Sequence, residues 1–218
     1  MPNMRKNGIA SATISLQKPN EGRILRSFLK TEKGSFCRAK AMVVKMAIQG
    51  IEQPDKILIE NTLRLRKYDG KYDFALEWYQ DEETVYMVDG VRNAYDADRL
   101  TRMYEYLNKA GELYFIEVLE NGRFKPIGDV TFWQDDMPVV IGDCRYRGKG
   151  IGRKVIAALI QRGRALGFDR LCVNEIYDWN APSRRCFEGL GFRAYEKTEK
   201  GARYKLNLAE GENNDSNN

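Results

Sequence analysis

The chain of 218 residues contains no histidine. That absence excludes the Ser-His-Asp hydrolases, the Cys-His proteases, the H-E-x-x-H metalloproteases and most catalytic zinc sites, each of which needs an imidazole as base or ligand. Any proton transfer falls to Asp, Glu, Tyr, Cys, Lys, a chain terminus or water. Cysteine is scarce as well: Cys37, Cys144, Cys172 and Cys186 show no C-x-x-C spacing. Neither a disulfide framework nor a paired-ligand metal site is therefore expected. Unpaired thiols fit a reducing compartment, so a cytoplasmic location is expected. No apolar run approaches the length of a membrane span. The opening Met1-Pro2-Asn3-Met4-Arg5-Lys6 is basic, yet no apolar core follows it, so neither export nor a membrane partner is expected.

What is present is a hydrophobic fraction of 43% and a charged fraction of 31%, the balance of a soluble globular domain with an appendage. The net charge of +5 is unevenly placed: residues 1–60 carry 11 Lys+Arg against 5 Asp+Glu, leaving 25 against 26 for the remainder. A basic arm of this kind can bind nucleic acid. A solvated extension is the simpler reading, and nucleic acid is disfavoured as a partner.

Residues 1–35 lack periodicity. Ala41, Val44 and Ile48 then recur at helical spacing, which predicts a helix from Phe36 to Ile51 that Pro54 interrupts. Ile57 to Leu65 reads as one strand, and Phe74, Ala75, Trp78 and Tyr79 as a helical stripe. Leu100, Met103, Tyr104 and Leu107 predict a helix over 93–110, stopped by Gly111. Leu113–Val118 and Ile127–Trp133 flank Glu120-Asn121-Gly122, a strong hairpin signal. A strand at Pro138–Ile141, a helix over 150–166, a strand at Leu171–Val173, a helix from Ala181 to Leu190 and closing strands at 192–197 and 202–208 complete the order. Such an order implies one α/β domain with a mixed sheet. The expected organisation is a basic, partly helical extension over 1–56, a domain over 57–208 and a disordered polar tail over 209–218.

Chemistry concentrates where the strand Val139-Val140-Ile141 runs into Gly142-Asp143-Cys144-Arg145-Tyr146-Arg147-Gly148-Lys149-Gly150-Ile151-Gly152-Arg153. Glycines let a ligand approach the backbone, a helix N-terminus offers unpaired N–H donors, and Arg145, Arg147, Lys149 and Arg153 add charge. The combination suits a phosphate or pyrophosphate. It is not a P-loop, because Arg147 stands where the second glycine belongs. Nor is it a Rossmann turn, because the third glycine arrives one position early, at Gly152.

Arg147-Gly148-Lys149-Gly150-Ile151-Gly152 does fit R-x-x-G-x-G, and so resembles the acyl-CoA pyrophosphate loop of the GNAT superfamily of N-acyltransferases. A second run, Asn180-x-x-Ser183-x-x-Cys186-Phe187-x-x-x-Gly191-Phe192, resembles that superfamily's N-x-x-[SA]-x-x-x-Y-x-x-x-G-F signature. Trp78-x-x-Asp81-Glu82-x-x-Val85 is similar, more faintly, to the branch containing ribosomal-protein and aminoglycoside acetyltransferases.

The resemblance implies a mixed, mostly antiparallel central sheet flanked by helices, with an N-terminal extension. It implies acetyl-CoA as donor and transfer to a primary amine, on a small molecule or a protein, by direct attack through a tetrahedral intermediate. Val139, Val140 and Ile141 would lie beside the pantetheine arm and supply a backbone N–H to the oxyanion. Arg145, Arg147, Gly148, Lys149, Gly150, Ile151, Gly152 and Arg153 would hold the pyrophosphate, while Asn180, Ser183 and Phe187 would border the cofactor arm. Phe187 stands where the family usually has a tyrosine that protonates the leaving thiolate. Tyr177, Tyr146 or water would have to replace it.

Glu175, just past the strand Leu171–Val173, is the first candidate base and Asp136 the second. Trp78, Tyr86, Trp133 and Trp179 are candidates for an acceptor pocket. A homodimer remains open. The alternative reading is a non-catalytic GNAT-like module that binds CoA while its basic arm contacts RNA or a protein partner.

Overall fold

The computed structural model describes Ile48 and residues 51–208. All of the polar tail, and all but Ile48 and residues 51–56 of the expected basic arm with its helix over 36–51, fall outside the described residues; neither Ile48 nor Ile51 is helical. Where one strand was expected, the described chain opens on a hairpin of β1 (Lys56–Glu60) and β2 (Leu63–Lys67). Asn61 and Thr62 break the run into two. Leu63 and Leu65 are buried on one face of β2, while Arg64 and Arg66 reach Glu117 on the other at 2.7 and 2.6 Å.

The strands β3 (Glu112–Glu120), β4 (Arg123–Phe132) and β5 (Val139–Ile141) continue the sheet in the order β1-β2-β3-β4-β5, every pair antiparallel. Asn121 and Gly122 join β3 to β4 with φ of 51° and 76°, the left-handed pair that a two-residue hairpin turn needs. Helices cover both faces, so β3 is apolar on both rather than alternating. On one face α4 (Ile151–Ala165) lays Val155, Ile156, Leu159 and Ile160 against Tyr114, Ile116 and Val130. On the other, α1 (Leu76–Gln80), α2 (Glu82–Asp89) and α3 (Ala97–Ala110) pack Trp78, Tyr79, Val85 and Tyr104 against Leu113, Phe115 and Val140.

Helix α2 has no counterpart among the sequence expectations. Asp81 caps it, accepting from Glu83 N at 3.2 Å and Thr84 Oγ1 at 2.6 Å. Helix α3 starts at Ala97 rather than Asn93 because Asp96 caps it through Arg99 N at 2.7 Å.

A second, three-stranded antiparallel sheet has the order β6-β8-β7, from β6 (Arg170–Tyr177), β7 (Arg193–Lys197) and β8 (Gly201–Asn207), with α5 (Ala181–Glu188) between β6 and β7. The two sheets meet where β5 and β6 begin: Cys172 N donates to Gln134 O at 2.9 Å, and Asn174 N to Asp136 Oδ1 at 3.0 Å. Beyond that junction β5 and β6 belong to different sheets, and the gap between them is a cleft. The expected α/β fold of antiparallel sheet flanked by helices is what the described residues form, with the sheet divided in two at this junction.

Candidate active site

A cavity of about 440 Å³ occupies this divergence. It brings together Val139 and Val140 of β5, Glu175 and Tyr177 of β6, Asn180, Ser183 and Phe187 around α5, and Asp136 at the junction. The register of β5 sets the direction of its amides. Val139 lies opposite Val130, and Thr131 N donates to Pro138 O at 3.1 Å, so this is a non-hydrogen-bonded pair whose own polar groups turn away from β4. Ile141 has the same sense, since its carbonyl accepts from Arg147 Nε at 2.9 Å. The N–H groups of Val139 and Ile141 therefore face the cleft.

The glycine-rich turn lies at the outer end of the cleft, apart from the cavity lining. Gly148 and Gly150 have φ of 71° and 75°, and a Cβ built on either would meet nothing within 4 Å. Their conformation needs glycine, and the space beside them is open. Gly150 is the N-cap of α4 and provides no side-chain cap, which leaves first-turn N–H groups for a ligand. The start of α4 adjoins α5: Arg153 donates to Gly189 O at 2.9 Å, and a Cβ on Gly152 would lie 4.0 Å from Cys186 Sγ. This geometry fits a diphosphate at the turn with an extended arm running past α5 into the cavity, the shape of CoA.

The basic residues of the turn are deployed unequally. Arg147 points inward, donating to Ile141 O and Gly142 O at 2.9 Å each and to Thr84 Oγ1 at 2.6 Å. It thus moors the turn to β5 and α2. Arg145 pairs with Asp143 at 2.7 Å, and this hydrogen bond holds the Asp143 carboxyl below its usual range. Lys149 is exposed, with Nζ 5.3 Å from the Tyr146 ring centroid. Ile151 is half-buried against the core below α4.

Within the cavity, Asn180 caps α5 by accepting from Ser183 N at 3.1 Å, and donates to Met87 O at 3.1 Å. Its side chain ties α5 to the end of α2. Phe187 is buried, edge-on to Phe192 at 5.1 Å. Glu175 lies inside β6, not beyond it, at a bulge between Val173 and Ile176 where the ladder with β8 slips. Such bulges re-aim side chains; the Glu175 carboxylate accepts from Thr198 Oγ1. Asp136 is buried and accepts from Met137 N at 2.8 Å as well as from Asn174 N, so it latches the two sheets. The rings of Tyr177, Trp179 and Tyr86 stack at 4.7 and 5.0 Å. Of the proposed aromatic pocket, Trp78 and Trp133 pack in the core with α1 to α3, and neither they nor Tyr86 and Trp179 line the cavity. Its aromatic lining is Tyr79, Tyr106, Tyr177 and Phe187.

Three acidic residues of the lining, Asp89, Asp129 and Glu199, escaped the sequence reading, and Asp129 is the most deeply buried of them. Asp129 of β4 is 2% exposed and accepts from Tyr104 Oη at 2.9 Å and Tyr79 Oη at 3.0 Å. Burial pushes its carboxyl up to about 7, against the downward pull of the two hydroxyls. The available signal was one carboxylate within the apolar run Ile127–Phe132. Among the described residues, no group of three or more His, Cys, Asp or Glu is placed to hold a metal ion, and no helix is long and apolar enough to cross a membrane.

The site is thus a cleft between β5 and β6, which belong to different sheets, with an open glycine turn at the start of α4. Residues 72–192 match the model of the acetyltransferase (GNAT) family. The chain belongs to that family, whose members are acetyl-CoA-dependent N-acyltransferases. Solved structures with the same fold include a domain from Methanocaldococcus jannaschii, 19% identical over 68% of this chain and 99% of that one, with a TM-score of 0.60. A GNAT-family acetyltransferase from Bacillus anthracis is 18% identical over 69% and 97%, with a TM-score of 0.57. An aminoglycoside acetyltransferase in complex with coenzyme A is 18% identical over 67% and 94%, with a TM-score of 0.52. A comparison with curated proteins finds no match.

Proposed function

We propose that this protein transfers an acetyl group from acetyl-CoA to a primary amine on a small molecule by direct attack, with no covalent acyl-enzyme. The observation that carries the reading is the continuity of the site: an open glycine turn, cleft-facing amides on β5 and a cavity with a carboxylate-bearing wall. When bound, acetyl-CoA supplies an activated thioester. First-turn amides of α4, together with Lys149, hold the diphosphate. Arg147 positions that turn rather than touching the ligand. Asn180 fixes the start of α5 against α2, and Ser183 and Phe187 shape the wall for the arm.

The N–H of Val139 or Ile141 stabilises the developing oxyanion. The amine enters between the α2–α3 side and the β7–β8 turn, where Glu175 and Glu199 offer carboxylates to a cation. Holding both reactants in one enclosed space supplies much of the acceleration. Phe187 has no proton to give, but a thiol with a pKa of about 8.5 departs without a dedicated acid.

Incubation with acetyl-CoA and a panel of polyamines, aminoglycosides and amino-acid amines, with thiol release as the readout, tests the proposal. Acetylation of at least one small amine supports it. Acetyl-CoA binding without turnover on any amine favours the non-catalytic module instead.

A further inference from the structure

We infer that Asp129 is the group that takes the first proton from the acceptor's ammonium, a role that rests on the acetyl-transfer reading above. Strand β5, which borders the cleft, brings only Val139, Val140 and Ile141 and no acid–base side chain. Its neighbour β4 supplies one: Asp129 lies directly opposite Val140 in the ladder, and directly opposite residues share a face. The carboxylate therefore stands one strand away from the cleft-facing amides, on the side where α1, α2 and α3 wall the cavity. Asp129 and Tyr79 both line that cavity.

The two earlier candidates are engaged differently. Asp136 accepts from the N–H of its neighbour Met137 and from that of Asn174 across the junction of the sheets, and Glu175 holds Thr198 at the start of the β7–β8 turn.

The surroundings of Asp129 suit a proton acceptor. Tyr79 from α1 and Tyr104 from α3 donate to it, while Phe115 of β3 and Val140 of β5 flank it with apolar groups. The charged pair beyond is Asp89 with Arg99 at 2.9 Å, joined to the site through Tyr95, whose ring centroid lies 5.0 Å from that of Tyr79. With no cation among its hydrogen-bond partners, burial dominates and the carboxyl titrates at about 7, close to the optimum for a base working near neutrality.

In the proposed step one ammonium N–H bond breaks, its electron pair stays on nitrogen, and an O–H bond forms on Asp129. The freed lone pair then attacks the thioester carbonyl to form the C–N bond, and collapse of the tetrahedral adduct breaks the C–S bond with its electron pair leaving on sulfur. A second proton leaves nitrogen after attack. At the end of turnover one proton is on the thiol sulfur and one is in solvent.

The test measures kcat against pH for the wild type, Asp129→Asn, Tyr104→Phe and Glu175→Gln, using an amine from the panel that is acetylated. Acetyl-CoA binding is followed by calorimetry in parallel. The wild type shows an acid limb near pH 7. Asp129→Asn loses that limb and falls by about 100-fold or more, with donor affinity unchanged. Tyr104→Phe, which removes a donor that favours the carboxylate, moves the limb to higher pH. Glu175→Gln keeps it.

Infrared difference spectra on either side of about pH 7 provide a readout independent of turnover: a protonated-carboxyl band present in the wild type and missing in Asp129→Asn. Retention of the acid limb in Asp129→Asn, its loss in Glu175→Gln or absence of the titrating band overturns the assignment and leaves acetyl transfer standing. Failure of the wild type to bind acetyl-CoA overturns the acetyl-transfer reading itself.

Discussion

Replacing Gly150 with alanine separates what the turn does for folding from what it does for the ligand. Gly150 has φ of 75° and a Cβ there would meet nothing within 4 Å, so the folded protein gains a strained backbone and no clash. The left-handed conformation costs a non-glycine residue about 1–2 kcal/mol. For a domain of this size that lowers Tm by about 2–8 °C. Gly167 is a matched control: its φ is 73° and its Cβ space is equally empty. The 15 residues of α4 place it about 22 Å from Gly150. Gly167→Ala should lose the same stability.

Only Gly150→Ala puts a methyl group where a phosphate must approach the amides. Pushing one charge-assisted hydrogen bond out of range forfeits about 1.5–3 kcal/mol, so its acetyl-CoA affinity falls tenfold or more. Thermal unfolding and calorimetric titration of both variants give the answer. Equal losses of affinity in the two, or none in either, would refute the assignment of the turn.

Asp129→Asn should also report through stability. Native Asp129 keeps its proton up to about pH 7, whereas its ordinary value is 3.8. The native state binds more protons between those values, so this group's contribution falls as pH rises through the window, by about 4 kcal/mol at the limit. The asparagine variant lacks that slope and should melt above the wild type at pH 8 but not at pH 4, as scanning calorimetry at the two pH values would show.

Arg147→Met removes the donors to the Ile141 and Gly142 carbonyls, while Thr84 keeps its bond to Asp81, and should cost about 2–4 kcal/mol in urea unfolding. Its ion pair with Asp81, 3.5 Å long and between partly exposed groups, adds little. Arg147→Lys should not restore stability, because an ammonium cannot reproduce the fork. Phe187→Tyr should raise kcat by less than about tenfold, since the thiolate needs little help; steady-state assays giving a larger gain would show that leaving-group protonation limits this enzyme.

Legibility in the sequence followed the range of the interactions involved. The Asn121-Gly122 hairpin, helix α4 and the glycine turn were visible because local backbone conformation specifies them, as the positive φ values at Gly122, Gly148 and Gly150 show. The division of Ile57–Leu65 into two strands was less visible: Asn61-Thr62 is a weak turn signal, and the pairing of Leu63 with Val118 that fixes β2 spans over fifty residues. Helix α2 was hidden by its short length of 8 residues and its weak helical periodicity, and only Asp81 marks its start. Within the site, residue types were readable but their engagement was not. Arg147 appeared as a free charge, yet it is spent on carbonyls. Asp129 gave no motif at all, since its character comes from Tyr79 and Tyr104, 50 and 25 residues away.

The measurement closest to the central claim is a calorimetric titration of the purified protein with acetyl-CoA, repeated with acetyl-pantetheine, which lacks the diphosphate. Saturable one-to-one binding of the full donor, with much weaker binding of the truncated one, is the predicted outcome. Equal affinities for both, or no heat with either, would contradict a diphosphate cradle at Gly148–Arg153.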